Sequence, residues 1–114
     1  MAMPDSEWEK IFSFSLSCPV GCAYMACVDA LAGMPNMSVR YTDEATRTIE
    51  ASISVTLWSR GEDIRVSLTP EGDSETRIDV STDTRQQPLA PAKDRRNYDD
   101  LECAVRYQLN RMTR

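Results

Sequence analysis

Ile49-Glu50-Ala51-Ser52-Ile53-Ser54-Val55-Thr56-Leu57 sets an apolar residue at every odd position and a polar one at every even position. Side chains alternate across a strand with period two. The run is therefore a strand whose odd residues are buried and whose even residues are wet. Two further strands of the same pattern follow, which makes this one the expected hub of an antiparallel sheet. Ile64, Val66 and Leu68 form the next inward row, and Ile78 and Val80 the one after. Pairing Leu57 with Ile64 and Val55 with Val66 leaves Arg60-Gly61 as a two-residue turn, with glycine supplying the positive φ. Setting Val66 opposite Ile78 brings Arg65 opposite Asp79 on the wet face, a pair contributing roughly 0.2–1 kcal/mol. Upstream, Met37, Val39 and Tyr41 alternate. Facing Tyr41 to Ile49 and Val39 to Ala51 leaves Glu44, Ala45 and Thr46 as the connecting loop.

The flanks read as one more strand and two helices. Phe12, Phe14 and Leu16 alternate with Ser13, Ser15 and Ser17, a first strand. The period then changes at Cys18-Pro19, and proline suits the first helical position because its missing N–H has no partner there. Val20, Tyr24, Cys27, Val28 and Leu31 trace a helical stripe, Gly33 caps it and Pro35 forbids continuation, so a helix is expected over 19–32. Residues 83–96 read as a loop. Asn97 reads as the cap of a last helix, with Asp99 and Asp100 in its first turn and Arg111 and Arg114 near its end, each of the sign the dipole favours. Its apolar stripe is Tyr98, Leu101, Val105, Leu109 and Met112. The predicted class is α+β: an antiparallel sheet of four to five strands, order β-α-β-β-β-β-α, with the C-terminal helix packed on the sheet.

The chain has 114 residues, a net charge of −5, 41% hydrophobic residues and no histidine. That length is one domain, residues 1–114, with 1–7 and 113–114 expected as loose ends. No basic face neutralises a row of phosphates, so nucleic acid is not an expected partner. The longest apolar stretch, Cys18 to Met34, is broken by Pro19, Gly21, Asp29 and Gly33, so no membrane span is expected. Asp5, Glu7 and Glu9 stand where a signal peptide needs positive charge. A cytoplasmic location is the default.

Without histidine, the commonest acid–base and metal-binding routes are closed. Cys18, Cys22 and Cys27 do not converge on one helical face, so neither a metal nor a cofactor is expected. Cys27 and Cys103 read as small buried apolar residues. Cys18 stands beside a helix start, where the dipole lowers a thiol's pKa, and reads either as a mildly reactive thiol or as an accidental surface thiol, the second being favoured. The carboxylates Glu62-Asp63, Glu71-Asp73-Glu75 and Asp99-Asp100-Glu102 fall on turns or at a helix start and read as solvated punctuation rather than acid–base pairs.

Ser59-Arg60-Gly61-Glu62-Asp63-Ile64-Arg65-Val66 and the Arg96-Asn97 entry to the last helix resemble a family of short uncharacterised bacterial proteins of β-α-β4-α order. Their hairpin reads Ser-Trp-Gly-Glu-Asn, then Ile or Val, any residue and Val; their last helix is introduced by Asp-Trp-Gly-Lys-Asn. Here Arg60 replaces the hairpin tryptophan and Pro91-Ala92 replaces Trp-Gly. The resemblance spans about residues 12–109. It implies a shortened helix-grip domain, similar to START-like and Bet v 1-like folds, and no activity.

The expected function is a non-enzymatic binding module holding an apolar or amphipathic small molecule between sheet and C-terminal helix. Tyr24, Tyr41 and Tyr98 supply polar tips there, and Val105 lies on the same inward row. The alternative is a structural or interaction domain with a filled core, binding itself or another protein through an edge strand or the Trp58 surface.

Overall fold

The alternation of Phe12, Phe14 and Leu16 with serines builds strand β1 (Trp8–Leu16) of the computed structural model, which describes residues 8–35, 37–53, 62–83 and 91–112. The chain continues through α1 (Val20–Gly33), β2 (Met37–Asp43), β3 (Thr48–Ile53), β4 (Glu62–Gly72), β5 (Glu75–Asp83) and α2 (Pro91–Met112). All neighbouring strands are antiparallel, in the order β1-β5-β4-β3-β2. The centre of the sheet is thus β4, not the strand of Ile49 and Ala51, which sits one place toward the β2 edge.

Both helices lie on one face. α1 covers β2, β4 and β5, and α2 lies beside α1 over β1. The α2–β1 contact is specific: the Tyr98 ring stacks on Phe12 with centroids 6.0 Å apart, and Arg106 donates to the Ser15 carbonyl at 3.1 Å. Odd residues of β3 and even residues of β1, β4 and β5 form the floor of the core. Leu101 and Val105 descend from α2, and Ala23, Ala26, Cys27, Ala30 and Leu31 from α1. Thr76 is the one uncharged polar residue among the described ones buried in that core. Its hydroxyl donates to the Cys18 carbonyl at 2.9 Å, tying the entry of α1 to the sheet.

Registers depart from the periodicity in an instructive way. Val66 lies opposite Ile49 rather than Val55, and opposite Val80 rather than Ile78. Both offsets are even, so every side chain keeps its face, and alternation alone cannot separate such registers. Polar pairing on the outer face separates them. Arg65 meets Glu50 at 3.5 Å, not Asp79, and Ser52 donates to Asp63 at 2.6 Å. Asp79 instead accepts from Ser13 and Arg77. Val55, Leu57, Trp58 and the Arg60-Gly61 turn lie outside the described residues.

Between β2 and β3, Val39 faces Ala51 as expected, but a bulge at Arg40 shifts the register beyond it. Tyr41 then faces Glu50 and is 39% exposed, not inward. The turn Glu44–Arg47 closes with Arg47 at φ 57°, and Asp43 accepts the N–H groups of Ala45 and Thr46. These bonds, with the Tyr41 hydroxyl, hold the Asp43 carboxyl below its ordinary range and push the Tyr41 hydroxyl up.

The helices begin and end differently from expectation. Pro19 is the extended cap of α1, not its first helical residue, and its carbonyl accepts the Ala23 N–H at 3.0 Å. Gly33 is the last helical residue and Met34 the C-cap. α2 begins at Pro91, so 91–96 is helix rather than loop and Asn97 is interior to it. Proline at a first helical position loses no hydrogen bond, which is why Pro91 starts the helix where loop composition seemed to continue. Met112, expected on the apolar stripe, is exposed.

Candidate functional site

Tyr24, Tyr98 and Val105 are buried, as an inward row requires, whereas Tyr41 lies on the surface. They form two groups rather than one. Tyr98 stacks on β1, at one edge of the sheet. Tyr24 descends from α1, which packs over β2, the strand of Tyr41 at the opposite edge. Val105, Leu16, Ile49, Ile64, Ile78 and Val80 have no surface left for water. A residue at zero exposure adjoins no void large enough for water, so no water-sized cavity borders these side chains. One polar atom there lacks a partner: the Thr82 hydroxyl, on the inner face opposite Ile64, is buried without a hydrogen bond.

The open space lies elsewhere. α2 presents a second stripe, Asp100, Cys103, Ala104, Tyr107 and Gln108, at helical spacing and beside the core stripe. Against it stand Ala30, Gly33, Met34 and Pro35 from the end of α1. Because Ala30, Gly33 and Ala104 have little or no side chain, the helices do not close over one another there. An open groove of about 760 Å³ remains. Its floor is apolar, and its rim carries one carboxylate, one thiol, one phenol and one amide. This is the composition of a small-molecule site: mostly apolar, with a few convergent polar groups. Among the described residues that line it, Asp100 is the one that is charged.

A family-model scan finds no match, and no curated protein matches either. Solved structures do match. The Zhui aromatase/cyclase from Streptomyces sp. R1128 superposes with a TM-score of 0.64 at 10% identity, covering 94% of this chain and 96% of that one. Norcoclaurine synthase from Thalictrum flavum gives 0.62 at 8% identity, covering 94% and 97%. Ara h 8.0201 gives 0.57 at 14% identity, covering 90% and 99%. The fold is a helix grip. At these identities the likeness carries the fold alone, the one that the hairpin and helix-entry residues resemble.

Within this helix grip, the cysteines divide by position. Cys18 and Cys27 are buried and Cys22 and Cys103 exposed. Burial, helped by the neighbouring Cys22, pushes the Cys18 thiol up rather than down. The helix dipole that favours thiolate is outweighed by loss of water. Burial and Cys18 push the Cys27 thiol up to about 12. Cys103 was expected in the core; α2 instead turns it into the groove. No cluster of metal-ligating side chains forms among the described residues. None of the helices there is long and apolar enough to cross a membrane.

The outer face of the sheet carries a smaller hollow of about 180 Å³, lined by Arg40, Glu50, Ala51, Ser52 and Asp63. Beside it Arg65 is nearly buried, its guanidinium 4.8 Å from the centroid of the Trp8 ring. Arg65 pairs with Glu50 and Ser52 with Asp63, the polar seam that sets the register. The groove's stripe was present in the sequence at spacing i, i+3, i+4, i+7, i+8. Its mixed chemistry concealed it, because a hydrophobic period does not count Asp100 or Gln108.

Proposed function

We propose that the chain is a small-molecule binding module whose ligand, apolar or amphipathic, occupies the groove between α1 and α2. The carrying observation is that groove itself, about 760 Å³ and open, beside a core whose central side chains have no free surface. A volume of this order suits a single small ligand. The helix-grip neighbours support a binding role in general, since one of them is described in complex with dopamine and hydroxybenzaldehyde. The reading includes no reaction. No described pair of side chains in the groove forms a nucleophile and its base.

The test uses 1-decanol and the protein's own thiols. Saturable protection of Cys103 from alkylation, with exposed Cys22 alkylated at its usual rate, is the expected result. Gly33→Leu should abolish the protection, because Gly33 lines the groove and a Cβ added there meets no atom within 4 Å, so the larger side chain has open space to enter; a melting curve checks that the variant is folded. Unprotected Cys103 in the native protein, or protection that survives Gly33→Leu, would remove the groove from consideration. The interaction-domain reading, through the open β2 edge, would then lead.

A second reading keeps the ligand between sheet and C-terminal helix, and the unpartnered Thr82 hydroxyl on the inner face of β5 favours it. A buried hydroxyl without a partner costs about 1–3 kcal/mol, which a ligand's donor or acceptor would recover. Thr82→Val should then weaken decanol binding while stabilising the free protein. Unchanged binding would confine the ligand to the groove.

A further inference from the structure

We propose that the groove selects an amphipathic cation: an apolar chain or ring bearing a protonated amine, held at the Asp100 end. This rests on the reading of the groove as the binding site. Asp100 is exposed, and among the described residues neither an ion pair nor a hydrogen bond engages it. The other polar groups of the rim, on Cys103, Tyr107 and Gln108, are neutral dipoles that orient a head group without repelling it. Apolar surface from Ala30, Met34 and Ala104 takes the ligand's body.

Among the described residues of α2, neither Arg106 nor Arg111 cancels this preference. Arg106 is turned to the other side of α2, where it bonds Glu102 at 2.8 Å and the Ser15 carbonyl. Arg111 lies over the Tyr107 ring at 5.9 Å, which shows that this ring face accepts a cation. It stands eleven residues beyond Asp100, about 16 Å along the helix at 1.5 Å per residue. That exceeds the Debye length of about 8 Å at physiological ionic strength, so its field at Asp100 is screened. The whole chain carries −5, which adds to the attraction for a cation approaching from solution.

Three probes of equal length decide it: decylamine, 1-decanol and decanoate, each titrated below its micelle concentration at pH 7 and low salt. Decylammonium should bind about fivefold tighter than decanol and about tenfold tighter than decanoate, the range an exposed ion pair supports. Asp100→Asn should level the series, bringing the decylammonium and decanoate affinities to within about twofold of one another. Raising the salt to about 0.5 M should compress the series in the same way, because exposed pairs are screened. Gly33→Leu should abolish binding of all three. Decanoate equal to or tighter than decylammonium, with binding still sensitive to Gly33→Leu, would overturn the cation preference and leave the groove standing. A preference for decylammonium that survives Asp100→Asn would also overturn it. Binding of all three that ignores Gly33→Leu would instead overturn the groove itself.

Discussion

Helix α2 has two working faces that meet different partners. Tyr98, Leu101 and Val105 face the sheet and α1, where Phe12, Ile78, Val80 and Leu31 are large enough to interdigitate and exclude water. Asp100, Cys103, Ala104, Tyr107 and Gln108 face the end of α1, where Ala30 and Gly33 offer almost no side chain. One helix therefore closes a core on one side and borders a void on the other. The difference comes from the partner's side-chain volume as much as from α2's own residues. Interiors pack to crystal-like density only where facing volumes sum to the space between elements.

The largest effect should come from exchanging the two faces' tolerance for charge. Val105 and Cys103 are two residues apart on α2, turned about 200° from each other. Val105→Asp buries an unpaired carboxylate where nothing is accessible. It should cost at least about 3–5 kcal/mol, comparable to the whole stability of a small domain. Cys103→Asp, on the exposed face, should stay within about 0.5 kcal/mol. Urea melts of the two variants check this, and equal midpoints would mean that the faces have been misassigned.

That same contrast marks what the sequence could disclose. Alternation identified Phe14, Leu16, Ile49, Ala51, Ile64, Val66, Leu68, Ile78 and Val80 as inward, and all are buried. It could not choose between registers two or six residues apart, since either keeps every face. Arg65 with Glu50, and Ser52 with Asp63, carry that information in polar atoms instead. Nor could it foresee the bulge at Arg40, which turned Tyr41 outward. On α1 the larger residues Val20 and Val28 drew the predicted stripe, yet Ala23, Ala26 and Ala30 form much of the buried face. Alanine weighs little in a hydrophobic period although it lets a helix approach closely. The candidate site suffered most. Of its four residues Tyr41 fell on the surface, and the groove was invisible because a void is defined by what Gly33 and Ala30 lack.

A middle-sized effect separates buried from exposed thiols by pH. The Cys27 thiol is raised from its ordinary 9.0 to about 12 by burial and by Cys18. Above pH 9 the unfolded chain loses this proton while the folded chain keeps it, so the unfolded state is favoured as pH rises. The contribution is complete below about pH 9 and is lost progressively toward about pH 12. Stability should fall by up to about 1.4 kcal/mol per pH unit from this group in that window. Cys27→Ala should flatten the alkaline limb, measured by urea melts from pH 7 to 10.5. An identical limb in the native protein and Cys27→Ala would show that Cys27 is not the buried acid described.

The smallest effect tests the void directly. Gly33 ends α1 with no positive φ, and a Cβ built there meets nothing within 4 Å. Glycine at such a place has no conformational need to be glycine. Gly33→Ala should therefore restrict the unfolded chain at no steric cost, stabilising the protein by about 0.4–1 kcal/mol. On a domain of this size that is a rise of a few degrees in Tm. Gly33 also lines the groove, so decanol affinity should fall at the same time, although less than in Gly33→Leu. The two signs must move oppositely for one reason: the space that costs the fold nothing to fill is the space a ligand would use. A Tm that drops on adding one methyl would mean α1 and α2 already meet at Gly33, and the contrast between the closed and open faces of α2 would disappear.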